Sequence, residues 1–165
     1  MLRYLVNCLL FVLPPTRLFY LRQVLLRVAG VHLGSNVRFC GHSWIYGRGH
    51  LSIGDNTWIS HGCRIFTHLD APIEIGKNTD IGPNVLIIVG THQVGSALRR
   101  AGCEVSTKIC IGDGCWLGSS VTVLDGVFIP NGCIVGAGST VTQSVYPPSA
   151  LLAGAPTILK KIYHD

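Results

Sequence analysis

The chain has 165 residues, a formal charge of +5, 13% charged residues and 48% apolar ones. That length bounds it to one domain, and the absence of a basic run or of interleaved basic and aromatic residues excludes nucleic acid as an expected partner. Seven cysteines without a C-x-x-C pair argue against a disulfide framework or a zinc ribbon and point to a reducing cytoplasm.

Residues 1–30 stand apart from the rest. MLRYLVNCLLFVLPP is apolar but too short before Pro14-Pro15 to span a bilayer. No small-residue cleavage site follows it, so a secretory signal fits poorly. TRLFYLRQVLLRVAG then reads as a helix, with Thr16 as N-cap and Gly30 as stop. Two roles compete for this segment. It can cap the open end of the domain that follows, or lie as an amphipathic segment in a membrane interface with Arg17, Arg22 and Arg27 snorkelling to headgroups. In the second case the protein is peripheral at the inner face of the membrane.

From Leu33 an apolar residue recurs at every sixth position, often followed by Gly. The anchors are Leu33, Phe39 and Ile45; Ile53, Ile59 and Ile65; Ile75, Ile81 and Ile87; Ile111, Leu117 and Val123; and Ile129, Val135 and Val141. A short fixed period predicts a solenoid. Six is even, so each unit is one strand and a corner, and the residue two before the next anchor also points inward. Those positions are Thr57, Cys63, Thr79, Val85, Cys115, Val121, Val127, Cys133 and Ser139, all small or β-branched. The fold expected is an all-β solenoid of about five triangular coils over residues 31–146, with a tail at 147–165. Residues 93–110 break the period and are polar, which predicts a loop protruding from one corner. Flat faces with few charges also predict packing against further copies.

The repeats, GTHQVG and the stretch from IGDGCWLGSSVTV to PPSALLAGAPTILKK resemble the hexapeptide-repeat acyltransferases. The similarity is to the sugar O-acetyltransferase branch that includes maltose, galactoside, nodulation and exopolysaccharide acetyltransferases. It covers the chain from about Val31 onward and implies a left-handed parallel β-helix, a homotrimer, acetyl-CoA as co-substrate and a saccharide or lipid-linked saccharide acceptor. Two alternatives stand beside this reading: N-acylation of an amino sugar or antibiotic, and a non-catalytic β-helix scaffold.

Acetyl transfer to a hydroxyl needs a base, and a histidine serves near neutral pH. His92 lies five residues after the anchor Ile87, so it faces outward at the mouth of the loop. The resemblance makes it the catalytic base with direct attack on the thioester. Gln93 stands where the family often has an acidic residue, which leaves the group that orients His92 open. Asn84, eight residues earlier, and His61, His68 and Asp70 are candidates for the acceptor pocket, with Asp80 and Glu104 as further acidic candidates. The resemblance maps Trp116, Ser119, Thr142 and Lys161 onto coenzyme A contacts. Gly118 and Ala137 leave backbone approachable, and Lys160 with Lys161 suits phosphates. No metal is expected. Ala97 stands where the related γ-class carbonic anhydrases carry a further histidine.

Overall fold

The structure, a computed structural model, describes residues 1–144 and 146–164. Three parallel sheets wrap around one core. The first contains β1 (His32–Leu33), β4 (Leu51–Ile53), β7 (Ile73–Ile75), β12 (Ile109–Ile111) and β15 (Phe128–Ile129). The second contains β2 (Arg38–Phe39), β5 (Trp58–Ile59), β8 (Asp80–Ile81), β13 (Trp116–Leu117), β16 (Ile134–Val135) and β18 (Ala150–Ala153), closed by the antiparallel β19 (Ile158–Ile162). The third contains β3 (Trp44–Tyr46), β6 (Arg64–Phe66), β9 (Leu86–Ile88), β14 (Thr122–Val123) and β17 (Thr140–Val141). The coil is left-handed, against the usual preference of parallel crossovers.

The sequence expectation of about five coils is short. Three strands per coil give five complete coils, and β18 opens a sixth, so the solenoid makes about six turns. The sequence reading places residues 147–165 in a tail. Yet Leu151 and Leu152 pair in register with Ile134 and Val135.

The anchors form the core. Every one from Phe39 to Val141 is buried, and Leu33 packs on the same cluster from the first coil. The small inward residues have a second duty. Thr57 Oγ1 donates to Gly76 O at 2.7 Å, Thr79 Oγ1 to Gly112 O at 2.9 Å, Cys63 Sγ to Gly82 O at 3.2 Å and Cys115 Sγ to Pro130 O at 3.1 Å. Each binds a corner carbonyl of the next coil, which a purely apolar residue would leave unpaired. At one line of corners, Asn36, Asn56 and Asn78 hold a left-handed backbone, and their side-chain amides bond in series. Asparagine tolerates that conformation better than other non-glycine residues.

Two helices, α1 (Leu2–Val12) and α2 (Phe19–Val28), cover the first coil. Their polar side chains satisfy its open edge. Asn7 Nδ2 donates to Ile45 O at 2.8 Å while Ile45 N donates to Asn7 Oδ1, so one side chain replaces a missing strand. Gln23 Nε2 donates to Val37 O, and Arg3 donates to Ala29, Gly47 and Gly49 carbonyls. The N-cap of α2 is Leu18 rather than Thr16, because Arg22 Nη2 holds the Leu13 and Pro14 carbonyls and draws the preceding turn tight. Gly30, at φ +78°, ends the helix as expected.

Candidate functional site

The expected loop is a β-hairpin. β10 (Thr91–Val94) pairs antiparallel with β11 (Ala101–Val105). It leaves the solenoid between the third sheet and the first, where β9 leads toward β12. His92 sits on it, exposed, and its Nδ1 lies 3.0 Å from Gly102 O. A carbonyl only accepts, so Nδ1 carries the hydrogen and Nε2 keeps its lone pair. The group on His92 Nδ1 is therefore a backbone carbonyl across the hairpin, not a carboxylate.

His92 stands opposite Glu104 in the register, which puts the two side chains on one face of the hairpin. Glu104 Oε1 in turn lies 3.5 Å from His68 Nε2. His68 Nδ1 accepts the backbone N–H of Asp70 at 3.2 Å, so Nε2 carries the proton that faces Glu104. The structure thus gathers His92, Glu104, His68 and Asp70 at one corner.

A second group forms on the second sheet. Its outward register runs Arg38, Trp58, Asp80, Trp116, Ile134, Leu151 and Lys161, alternating with the buried anchors. A cavity of about 560 Å³ lies over its middle. Trp58, Asp80 and Trp116 wall it, with Ser60, Pro83, Gly118, Ser119 and Ala137 at the adjacent corners. Trp116 is 56% exposed, which is a large indole surface to leave open. The space is shaped by tight corners. A Cβ built on Gly118 would stand 2.6 Å from Ala137 N, so only glycine lets the two coils stack there.

Of the cofactor residues expected from sequence, Trp116, Gly118, Ser119 and Ala137 line this cavity together. Lys161 lies beyond it on the same outward ladder, its Nζ 4.7 Å from the Tyr163 ring, and Lys160 is beside it on β19. Thr142 is exposed past the end of β17, on the third sheet and outside the cavity. Asn84 occupies the corner before β9, with φ +58°, and His61 stacks on His42 at 4.8 Å, close to the N-terminal cap. Within one chain neither joins His92. Between Pro83 on the cavity rim and Gly90 at the hairpin lies the whole of β9, Leu86–Ile88, with a left-handed corner at each end, Asn84 and Gly90. Trp58, Ser60, Pro83 and Gly102 were not singled out from sequence. Trp58 has a readable signal, since it precedes its anchor as Trp116 does, two coils away.

The chain matches the sequence model described as the hexapeptide repeat of succinyl-transferase over residues 108–143. It is 42% identical over 60 residues to the galactoside O-acetyltransferase of Lactococcus lactis, covering 36% of this chain and 29% of that protein. It is 30% identical over 124 residues to a putative colanic acid biosynthesis acetyltransferase of Escherichia coli, covering 75% of this chain and 65% of that protein. The chain thus spans less than two thirds of the length of these curated relatives. A solved structure from Vibrio cholerae, a hexapeptide-repeat-containing acetyltransferase complexed with acetyl coenzyme A, superposes with a TM-score of 0.80 at 26% identity. That superposition covers 99% of this chain and 86% of the other. With its solenoid, its repeat and nearly its whole length accounted for in this way, the chain belongs to the hexapeptide-repeat acetyltransferases.

Proposed function

We propose that the protein is an acetyl-CoA-dependent O-acetyltransferase that acts on a saccharide hydroxyl and works as a homotrimer. The observation that carries the reading is the His92 ring, held by Gly102 O in the tautomer that leaves Nε2 free on an exposed hairpin face. Relatives named galactoside O-acetyltransferase, and a structural neighbour complexed with acetyl coenzyme A, support the substrate classes.

The residues present fit a thioester co-substrate. Trp116 and Trp58 offer flat apolar walls to a narrow arm, and Lys161, further along the ladder, offers a charge to phosphate. The bound molecule would supply an activated acetyl group. His92 Nε2 would take the proton of the attacking acceptor hydroxyl, the Gly102 carbonyl would steady the imidazolium, and Nε2 would return that proton to the sulfur released when the thioester C–S bond breaks. Glu104, His68 and Asp70 present acceptors and donors for sugar hydroxyls on the same face.

His92 and the cavity lie at opposite edges of the third sheet, so a complete site needs the hairpin of one copy against the cavity of another. The outward ladder of the third sheet, Trp44, Arg64, Leu86, Thr122 and Thr140, carries a single charge and suits such packing.

Thiol release from acetyl-CoA across a panel of saccharide, amino-sugar and lipid-linked acceptors tests the reading. Turnover with a hydroxyl acceptor is expected, and His92→Ala should lower it by about 10² while leaving the fold intact. Release only with amine acceptors, no release at all, or wild-type turnover in the variant would overturn it.

A further inference from the structure

Both N-terminal helices are built inside out. On α1 the buried face carries Arg3 and Asn7 beside Val6 and Leu10. The exposed face carries Met1, Leu2, Tyr4, Leu5, Cys8, Leu9, Phe11 and Val12, with no Asp, Glu, Lys or Arg side chain among them. On α2, Arg22 is fully buried, while Tyr20, Leu21, Val24 and Val28 face outward with Arg27. The inward polar groups have a local cause, since they satisfy the open edge of the first coil and the turn between the helices. Tyr4 and Phe11 rest edge-on against Trp44 and His42, but Leu2, Leu5, Leu9 and Val12 have no such cause among the described residues. Leu5 and Leu9 are each about half exposed, and Val12 is 79% exposed. A contiguous apolar face of this kind marks an interaction surface.

Charge selects the occupant. Residues 1–54 contain six arginines and no Asp or Glu; all eight acidic residues lie from Asp55 onward. Arg3 and Arg22 are consumed by the cap; Arg27, on the Leu33 and Gly34 carbonyls, and Arg38, over the Phe19 and Trp58 rings, are exposed but engaged, and Arg17 and Arg48 are exposed beside them. Tyr4 and Tyr20 sit on the same outward faces, where amphipathic rings suit a lipid headgroup layer. Each helix is about 16 Å long or less, far under the roughly 30 Å of a hydrocarbon core, so it can lie in the interface and not cross it. The expectation that Arg22 snorkels is corrected, since it is buried against backbone carbonyls.

We infer that the outer face of this cap docks on an anionic lipid bilayer, with Leu2, Leu5, Leu9 and Val12 in the headgroup boundary and the exposed arginines on lipid phosphates. This goes beyond the transferase reading and does not depend on it, because the test reads binding alone.

The full chain is sedimented with vesicles of phosphatidylcholine, and with vesicles containing about one third phosphatidylglycerol. Binding to the anionic vesicles is expected, and 0.5 M salt should weaken it. Leu5→Glu with Leu9→Glu should reduce binding at least about tenfold, and Arg17→Gln with Arg48→Gln about fivefold per charge. All four side chains are exposed, and a thermal melt of each variant checks that the fold survives. Cysteine labelling supplies an internal footprint. A charged maleimide should modify exposed Cys8 more slowly with anionic vesicles present, while exposed Cys103, on the hairpin, keeps its rate. No sedimentation, or binding and Cys8 labelling indifferent to the leucine substitutions, would overturn the inference. A leucine variant that instead loses a subunit by light scattering would overturn it too, by assigning the face to a second copy.

Discussion

Replacing Trp116 by Ala removes one wall of the proposed thioester slot without touching the core. Leu117, the next residue, is the buried one, so the solenoid should keep its stability. An indole buries about 200 Å² when fully covered. With 56% of Trp116 open, roughly 110 Å² is available to a ligand, and an arm lying along one side covers about half of it. At about 25 cal/mol per Å², the loss is ~1.4 kcal/mol, or about a tenfold rise in KM for acetyl-CoA. The wall contacts the arm before and during transfer alike, so kcat should stay within about twofold. Initial rates of thiol release at saturating acceptor and varied acetyl-CoA give both constants. Trp116→Phe should recover most of the loss. An unchanged KM, or a hundredfold fall in kcat at constant KM, would refute the placement of the cofactor arm on this face.

Two further outcomes follow from geometry. If a site joins the hairpin of one copy to the cavity of another, His92→Ala and a cavity-filling Ala137→Trp each keep at most about 1% of activity alone. Co-refolded at equal amounts they should regain about a quarter of wild-type activity, the chance that one junction draws both intact halves; no recovery would place the site within a single chain. The second outcome concerns the interior thiols. Burial pushes Cys63 and Cys115 up to about 11 from an ordinary 9.0, so between those values the folded chain holds protons that the unfolded chain releases. Unfolding free energy should therefore fall as pH rises from about 9 toward 11, and Cys63→Ala with Cys115→Ala should flatten that fall. Equal slopes for both proteins in urea titrations at pH 8, 9 and 10 would contradict it.

The repeat was legible because period six leaves no freedom. Once Ile81 and Leu117 are inward anchors, Asp80 and Trp116 must be outward, and the structure pairs them in one register. The cavity was partly legible for the same reason, and Trp58 was missed only because its coil carries no Gly-Ser corner to draw attention to it. What orients His92 was not legible. The Gly102 carbonyl reaches it through a hairpin whose register shifts between His92 and Val94, and periodicity says nothing about a segment outside the period. The coil count failed where Pro147-Pro148 interrupts the spacing, although the sheet continues at Ala150. The direction of the N-terminal arginines was hidden as well. Sequence gives their spacing, but only the unpaired carbonyls at Gly47, Gly49 and Leu13 explain why they turn inward.

The outward register from Arg38 to Lys161 makes the solenoid a ruler. Neighbouring strands are about 4.8 Å apart, so Trp116 and Lys161 are separated by three such steps, across β16 and β18. That separation is quantised. Excising residues 118–135 would join Leu117 to Gly136 with the six-residue phase intact and bring the lysine one step, about 4.8 Å, closer to the indole. Inserting a coil would move it one step away. Point mutations cannot adjust this spacing, because every intermediate value breaks the register of all three sheets at once. The length of molecule spanned between indole and lysine is therefore set by the number of coils, and a lineage that needed a different span would have to change it by whole turns.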